Sequence, residues 1–236
     1  MQAVPNVGIY RRATAAALLI APVLALADNL LHPKEFTRDH ETQQLGRIAD
    51  AYTRWQLAHA LGFVAILVFA AATLGLAFLV ARRRPRLGLI GGTLAIAGLI
   101  GLASVITIDG YTWGTLGGVS REAGIDQPTL QRALHEVQQS GWSLIYYTVP
   151  ALWIAGTAVL AIGAARFAGI PGWAGGLLAI GALLVGTETA ITNNAYFIAS
   201  SVVFLAGSAA IGVCVARMSD DEFMNMGRRS ASGSAG

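Results

Sequence analysis

The chain has 236 residues, of which 55% are hydrophobic and only 12% charged, and its formal net charge is +3. This composition is too apolar for an ordinary soluble domain and is typical of a protein that crosses a membrane several times. The single cysteine, Cys214, excludes an intrachain disulfide and any metal cluster that needs several cysteines.

Six apolar stretches follow one another along the chain, and each is long enough to cross a hydrocarbon core of about 30 Å at about 1.5 Å per residue. We therefore predict an all-α membrane bundle of six transmembrane helices, at residues 13–30, 57–81, 87–108, 142–165, 174–192 and 196–216. The positive charge lies beside these stretches, above all at residues 82–86. Clustered arginines mark the cytoplasmic side, so they predict cytoplasmic termini in a bacterial inner membrane and do not indicate a nucleic-acid partner.

A repeat runs through the second, fourth and sixth spans, where an aromatic residue is followed by small residues and, 13 positions later, by an arginine. The aromatic and arginine pairs are Phe69 and Arg82, Trp153 and Arg166, and Phe204 and Arg217. The third and fifth spans also match each other, with two adjacent glycines in each. We interpret the pattern as three in–out–in hairpins around a pseudo-threefold axis, and chance similarity between Ala- and Gly-rich helices is the alternative.

The first span allows a second interpretation. Arg11, Arg12, the apolar run after them and the sequence Ala25-Leu26-Ala27 also fit a secretory signal peptide with a small-residue cleavage site. The three-hairpin repeat needs this helix, so we favour a span that is retained.

The segments outside the membrane are expected to carry two amphipathic helices. Apolar residues at helical spacing, among them Leu45 and Ile48, predict a helix that runs unbroken into the second span, with Trp55 in the membrane interface. Residues 110–125 are glycine-rich and predict a loop, after which Asp126 is expected to cap the second helix. The expected division is a membrane domain at 1–217, with outer segments at 29–56 and 110–140, and a disordered cytoplasmic tail at 218–236.

Ionisable residues within membrane spans are costly, so they mark candidate functional sites. The residues that we expect to line a polar pocket open to the outside are Glu188, His59, Asp28, Asp109, Thr192 and Tyr146. Glu188 is the deepest of them, and such a pocket would bind a small ligand or a cation. The alternatives are a neutral Glu188 hydrogen-bonded between helices, and aspartates that pair with arginines of the outer segments.

A metal ion or a haem is a second possibility for His59, with His135 as its partner. The sequence has no H-x-x-x-H, E-x-x-H or H-E-x-x-H spacing, so no motif supports this site and no particular cofactor is indicated. The alternative is a histidine that is hydrogen-bonded at the membrane interface.

Four features together resemble six-span bacterial integral membrane proteins of unknown function. They are Trp55-x-x-x-His59, the basic run at 82–86, Asp109, and Pro171-x-Trp173. The resemblance covers about residues 10–217, and it implies the topology and no activity.

Three functions fit these observations. The first is a protein that binds or transports a small ligand or cation taken from the outer side. The second is a membrane-embedded redox enzyme that uses His59 and His135, and the third is a structural subunit of a membrane complex. All three place the chain in a lipid bilayer, and they allow a homo-oligomer or a membrane-complex partner.

Overall fold

The computed structural model of the chain describes residues 6–33, 41–121, 126, 128–130, 132–133, 136, 143–188 and 193–225. Within these residues the regular structure is helical and no strand occurs, so the all-α prediction is confirmed. In chain order the helices are α1 (Val7–Leu31), α2 (Glu41–Asp50), α3 (Tyr52–Ala81), α4 (Pro85–Val119), α5 (Ser143–Phe167), α6 (Gly172–Gly186), α7 (Asn194–Arg217) and α8 (Asp220–Asn225).

Five helices of the described part, α1, α3, α4, α5 and α7, are long and apolar enough to cross a membrane. Helix α6 is apolar as well, but its 15 residues make only about 22 Å of helix, which is less than a hydrocarbon core of about 30 Å. The protein is therefore an integral membrane protein with five candidate spans and a sixth helix that is shorter than the sequence predicts.

The long helices form a closed ring in chain order. Helix α1 packs on α3, α3 on α4, α4 on α5, α5 on α6 and α6 on α7, and α7 packs back on α1. The closing contact includes a hydrogen bond of 2.6 Å that the buried hydroxyl of Ser208 donates to the carbonyl oxygen of Leu18. First and last spans are thus direct neighbours.

Three aromatic side chains fill the centre of this ring. The ring centroids of Phe69, Trp153 and Phe204 lie 5.1–6.2 Å apart, and each residue is at most 4% exposed. They are the aromatic residues of the predicted repeat. Their meeting is consistent with three hairpins around one axis, and the repeat itself stays a prediction.

Glycines set how closely neighbouring helices approach. A Cβ atom on Gly98 would lie 2.3 Å from the backbone nitrogen of Trp153, and one on Gly156 would lie 2.2 Å from that of Ala95. No side chain fits at such distances, so the backbones of α4 and α5 are in direct contact. Close backbone approach at small residues is the usual means by which helices associate in lipid.

The segment after Asp109 is a helix, and the prediction of a loop from residue 110 is wrong as far as Val119. Helix α4 continues because its added turns pack against α2, with Gly117 placed so that a Cβ would come within 2.8 Å of Ile48. Leu116 belongs to the same small apolar cluster as Leu45. Burial against α2 therefore holds a glycine-rich stretch helical.

The first outer helix is separate from the span that follows it, which corrects the prediction of one unbroken helix. Helix α2 ends at Asp50, and Ala51 departs from helical geometry with φ −118° and ψ 30° before α3 begins at Tyr52. The break lets α2 lie against α4. Asp126 caps the next segment as predicted, since its carboxylate accepts the backbone N–H of Thr129 at 3.2 Å.

The tail begins with a short helix, so the expectation of disorder from residue 218 does not hold for α8. Phe223 is 2% exposed and stacks on Phe78 of α3, with ring centroids 5.7 Å apart. Arg11 donates to Asp220 at 2.8 Å and to the carbonyl oxygen of Ala216 at 2.6 Å. Residues 226–236 lie outside the described part of the chain.

The bundle has two chemically different ends. The arginine end carries Arg11, residues 82–86 and Arg217, together with α8. The opposite end, which we call the histidine end, carries His32, His59 and Asp109.

Candidate site at the histidine end

His59 lies two turns into α3 and is held by hydrogen bonds at both ring nitrogens. Its Nδ1 is 2.9 Å from the carbonyl oxygen of Trp55, and its Nε2 is 3.2 Å from Oδ2 of Asp109 on α4. A carbonyl oxygen only accepts hydrogen bonds, so the Nδ1 atom carries the proton. In the neutral imidazole this leaves the lone pair of Nε2 facing the carboxylate of Asp109.

His32 completes a group of three metal-ligating side chains. It follows the last residue of α1, and its ring lies 4.9 Å from that of His59 between centroids. The nearest ligating atoms of His32, His59 and Asp109 all lie within 4.8 Å of one another. Three different helices thus bring one potential ligand each to a common point.

Trp55, one turn before His59 in α3, packs against this group. It is fully buried, its ring lies 4.5 Å from that of His32 and 4.3 Å from that of His59, and its indole N–H donates to the carbonyl oxygen of Gly110 at 3.0 Å. This corrects the expectation that Trp55 anchors the chain in the membrane interface. Packing against the indole restricts the orientation of both histidine rings.

Asp28 brings a second carboxylate close to the group. Its Oδ2 lies so close to Gly62 that a Cβ there would be 2.7 Å away, and Gly62 shares one face of α3 with His59. Gly110 allows the same close approach on α4, since its Cβ would lie 2.8 Å from the His59 ring. Two ionised carboxylates and two neutral imidazoles together carry a formal charge of about −2, which one divalent cation would neutralise.

An open cavity of about 970 Å³ adjoins the group at the histidine end. His32 and Pro33 form part of its wall, so the cavity reaches one of the three ligating residues from the surface. Its other walls are the ends of α1, α2, α3 and α7, including Arg47, Arg54 and Asn194. The cavity lies at the end predicted from the sequence, but Glu188 and His59 do not line it.

Glu188 lies in a second polar cluster, on the other side of α1. It follows α6 in a turn, and its carboxylate accepts a hydrogen bond from Ser200 of α7 and contacts from the side-chain amide of Asn29 at 3.4 Å. The same amide donates to Ser201 at 2.7 Å. Glu188 is therefore held between α1 and α7. The sequence predicts a helix at 174–192 with Glu188 inside it, whereas the structure places Glu188 in a turn after the helix has ended at Gly186.

The remaining predicted site residues have different outcomes. Asp109 lies within α4 and not at its end, because the helix continues to Val119. Tyr146 belongs to α5, but its side chain is outside the described part, as are Thr192 and His135 entirely. The structure thus unites His59, Asp109 and Asp28, and it assigns Glu188 to a separate cluster.

The sequence interpretation preferred His135 to His32 as the partner of His59, and it missed Asn29 and Ser200 as site residues. A signal for His32 existed, because Asp28 and His32 are four residues apart and share a helical face, as Trp55 and His59 do. No spacing along the chain indicates that Asn29 and Ser200 meet Glu188, since the three belong to different helical segments.

One of the distances fits an ion held between two ligands. Ligand atoms bound tetrahedrally to Zn²⁺ at about 2.0–2.2 Å lie about 3.3 Å from each other, close to the 3.2 Å between His59 and Asp109. The ligating atom of His32 lies within 4.8 Å of these two, so a bound ion would draw it closer. Zinc-bound histidines usually donate their other ring N–H to a carbonyl or carboxylate, as His59 does to Trp55. The competing interpretation of this contact is an ion pair of Asp109 with a doubly protonated His59.

No protein-family model, curated protein or solved structure matches this chain.

Proposed function

We propose that this protein is a multi-pass membrane protein that binds a divalent transition-metal ion at the histidine end, with His32, His59 and Asp109 as ligands and Asp28 close by. Zn²⁺ is the ion that suits two imidazoles and a carboxylate, with an open fourth position toward the cavity. The observation that carries the proposal is the orientation of His59. Its Nδ1–H donates to the carbonyl oxygen of Trp55, and its Nε2 faces Asp109 at 3.2 Å.

We propose binding from one side and not conduction through the bundle. The centre of the ring is filled by the aromatic residues Phe69, Trp153 and Phe204, and Leu76, Leu160 and Ile211 between them and the arginine end are at most 1% exposed. Such packing supports a closed path below the site. The molecule that occupies the open fourth coordination position decides whether the ion serves in catalysis or is itself delivered by the protein.

Cobalt titration tests the proposed site. Co²⁺ replaces Zn²⁺ in such ligand sets and absorbs visible light, so the purified protein in detergent should show saturable absorption that added Zn²⁺ removes. The variant His135→Ala should bind equally well, because the proposed ligands are His32, His59 and Asp109. Failure of the wild-type protein to bind Co²⁺ or Zn²⁺ would refute the proposal.

We also propose six membrane crossings, with both termini in the cytoplasm and the histidine end outside. Helix α6 begins at the arginine end and α7 begins at the histidine end, so the chain passes from one end of the bundle to the other between these two points. The arginines at one end support the orientation by the positive-inside rule. A bacterial inner membrane is the location that this topology suggests.

Cysteine labelling tests the orientation. In a Cys214→Ser background, a membrane-impermeant maleimide applied to intact cells should label Ser120→Cys, which follows α4 at the histidine end. It should label Ser230→Cys only after the membrane is made permeable. The reverse pattern would place the histidine end in the cytoplasm, and labelling of both sites would be evidence against an even number of crossings.

A further inference from the structure

The cluster around Glu188 is polar, buried and separate from the metal ligands. Asn29, Ser200 and Ser201 are 8%, 1% and 1% exposed, and their side chains converge on the carboxylate or on one another. The backbone of the adjacent helix end is satisfied by other groups, since the hydroxyl of Thr187 contacts the carbonyl oxygens of Leu183 and Leu184 at 3.0 and 2.9 Å. Glu188 is therefore not needed to cap α6.

The hydrogens in this cluster can be counted. The hydroxyl of Ser200 has one hydrogen, but it contacts two acceptors, Oε1 of Glu188 and the carbonyl oxygen of Phe197 at 2.8 Å. If Glu188 is protonated, it donates to Ser200, and Ser200 donates to Phe197. If Glu188 is ionised, the hydroxyl rotates and donates to the carboxylate, while an amide hydrogen of Asn29 faces the same group. Both charge states are hydrogen-bonded, and loss of the Glu188 proton together with a rotation of the Ser200 hydroxyl converts the first arrangement into the second.

The depth of Glu188 in the membrane favours a functional role for its carboxyl group. Helix α6 ends at Gly186, about 22 Å from its start, so Glu188 lies within the depth of a hydrocarbon core of about 30 Å. Helices that end inside a membrane often do so at ion or proton sites. Ionisable side chains at such depth are otherwise costly.

Helix α1 connects this cluster to the metal site. Asn29 contacts Glu188, while the preceding residue, Asp28, lies against Gly62 on the face of α3 that carries His59. A dication at His59 would act on Glu188 across a low-dielectric interior and stabilise its ionised form. Among the described residues, Tyr196 of α7 contacts Thr187 next to Glu188, and α5 presents the apolar residue Ile154 to this end of α6.

We propose that Glu188 is a proton-binding site that gives up its proton when a divalent ion fills the site at His32, His59 and Asp109. The ligand of this second site is the proton itself, which leaves Oε1 of Glu188 for solvent while Ser200 reorients to donate to the carboxylate. This inference rests on the proposed metal site. It makes metal binding and deprotonation of Glu188 reciprocal, so that each favours the other.

Proton release during Zn²⁺ binding tests the coupling. A pH-sensitive dye in weakly buffered detergent solution at neutral pH reports the protons released per bound ion. The variant Glu188→Gln keeps the shape of the side chain and should release about one proton fewer than the wild-type protein. The matched control Glu136→Gln, an exposed carboxyl at the same end, should release as many protons as the wild-type protein.

Infrared difference spectra give a second readout that does not depend on folding of the Glu188 variant. On addition of Zn²⁺, the wild-type protein should lose the carbonyl stretching band of a protonated carboxyl group, and Ser200→Ala should shift that band. Equal proton release by Glu188→Gln and the wild-type protein, or an unchanged infrared band, overturns the inference and leaves the metal site intact. A wild-type protein that binds no Zn²⁺ overturns both.

Discussion

Replacing His59 with alanine is expected to lower the affinity for Zn²⁺ at least about 100-fold. Loss of a residue that merely orients a zinc ligand already costs 10- to 100-fold in affinity, and His59 is the ligand whose Nε2 directly faces Asp109 at 3.2 Å. The substitution also removes the ring that packs against both Trp55 and His32, so His32 keeps only its ring contact with Trp55.

Competition with a chromogenic chelator measures this loss. Gln56→Ala is the matched control, because Gln56 is exposed on the neighbouring turn of α3 and its side-chain amide donates to the hydroxyl of Tyr52. The control variant should bind Zn²⁺ with the wild-type affinity. Wild-type affinity in His59→Ala would show that the contact between His59 and Asp109 is an ion pair and not a metal site.

Replacing Trp153 with alanine should lower the free energy of unfolding by about 3 kcal/mol, the lower end of the range for truncating a buried aromatic residue. The indole packs on Phe69 and Phe204 at the centre of the ring, where a cavity cannot be filled by lipid. The lower end applies because lipid also solvates the unfolded side chain, so that lost packing is the main cost.

Unfolding in mixed micelles of increasing denaturing detergent measures this effect. Trp173→Ala is the control, because Trp173 is 63% exposed and should be replaced at little cost. Trp153→Phe should also be mild, since it keeps an aromatic contact and removes an indole N–H that has no hydrogen-bond partner among the described residues. Equal losses in Trp153→Ala and Trp173→Ala would contradict a packed centre.

The spans could be predicted because bilayer thickness imposes a minimum length on an apolar helix, and α3 ends at Ala81 as its arginines indicate. The exceptions depend on contacts between distant segments. Helix α4 continues beyond its apolar stretch because its glycines pack on α2. Helix α6 ends at Gly186, where Thr187 and Tyr196 contact its last carbonyl oxygens. Neither contact has a signature in the local sequence.

The candidate site shows the same division. Ionisable residues in apolar stretches stand out in a sequence, so Asp28, His59, Asp109 and Glu188 could be found without a structure. Their grouping could not, because neighbouring residues on α1 face different partners: Asp28 lies against α3, and Asn29 reaches Glu188. Which helix stands on which side of α1 is a property of the assembled ring.

The hydrogen bond between Ser208 and Leu18 has a consequence for how the protein is made. Its two residues are 190 positions apart, so α1 enters the membrane long before α7 leaves the ribosome. During that interval the face of α1 that carries Leu18 has lipid or the insertion machinery as its neighbour. A nascent chain that stops after α5 would remain an open arc, with the buried face of its first helix accessible to membrane chaperones and proteases.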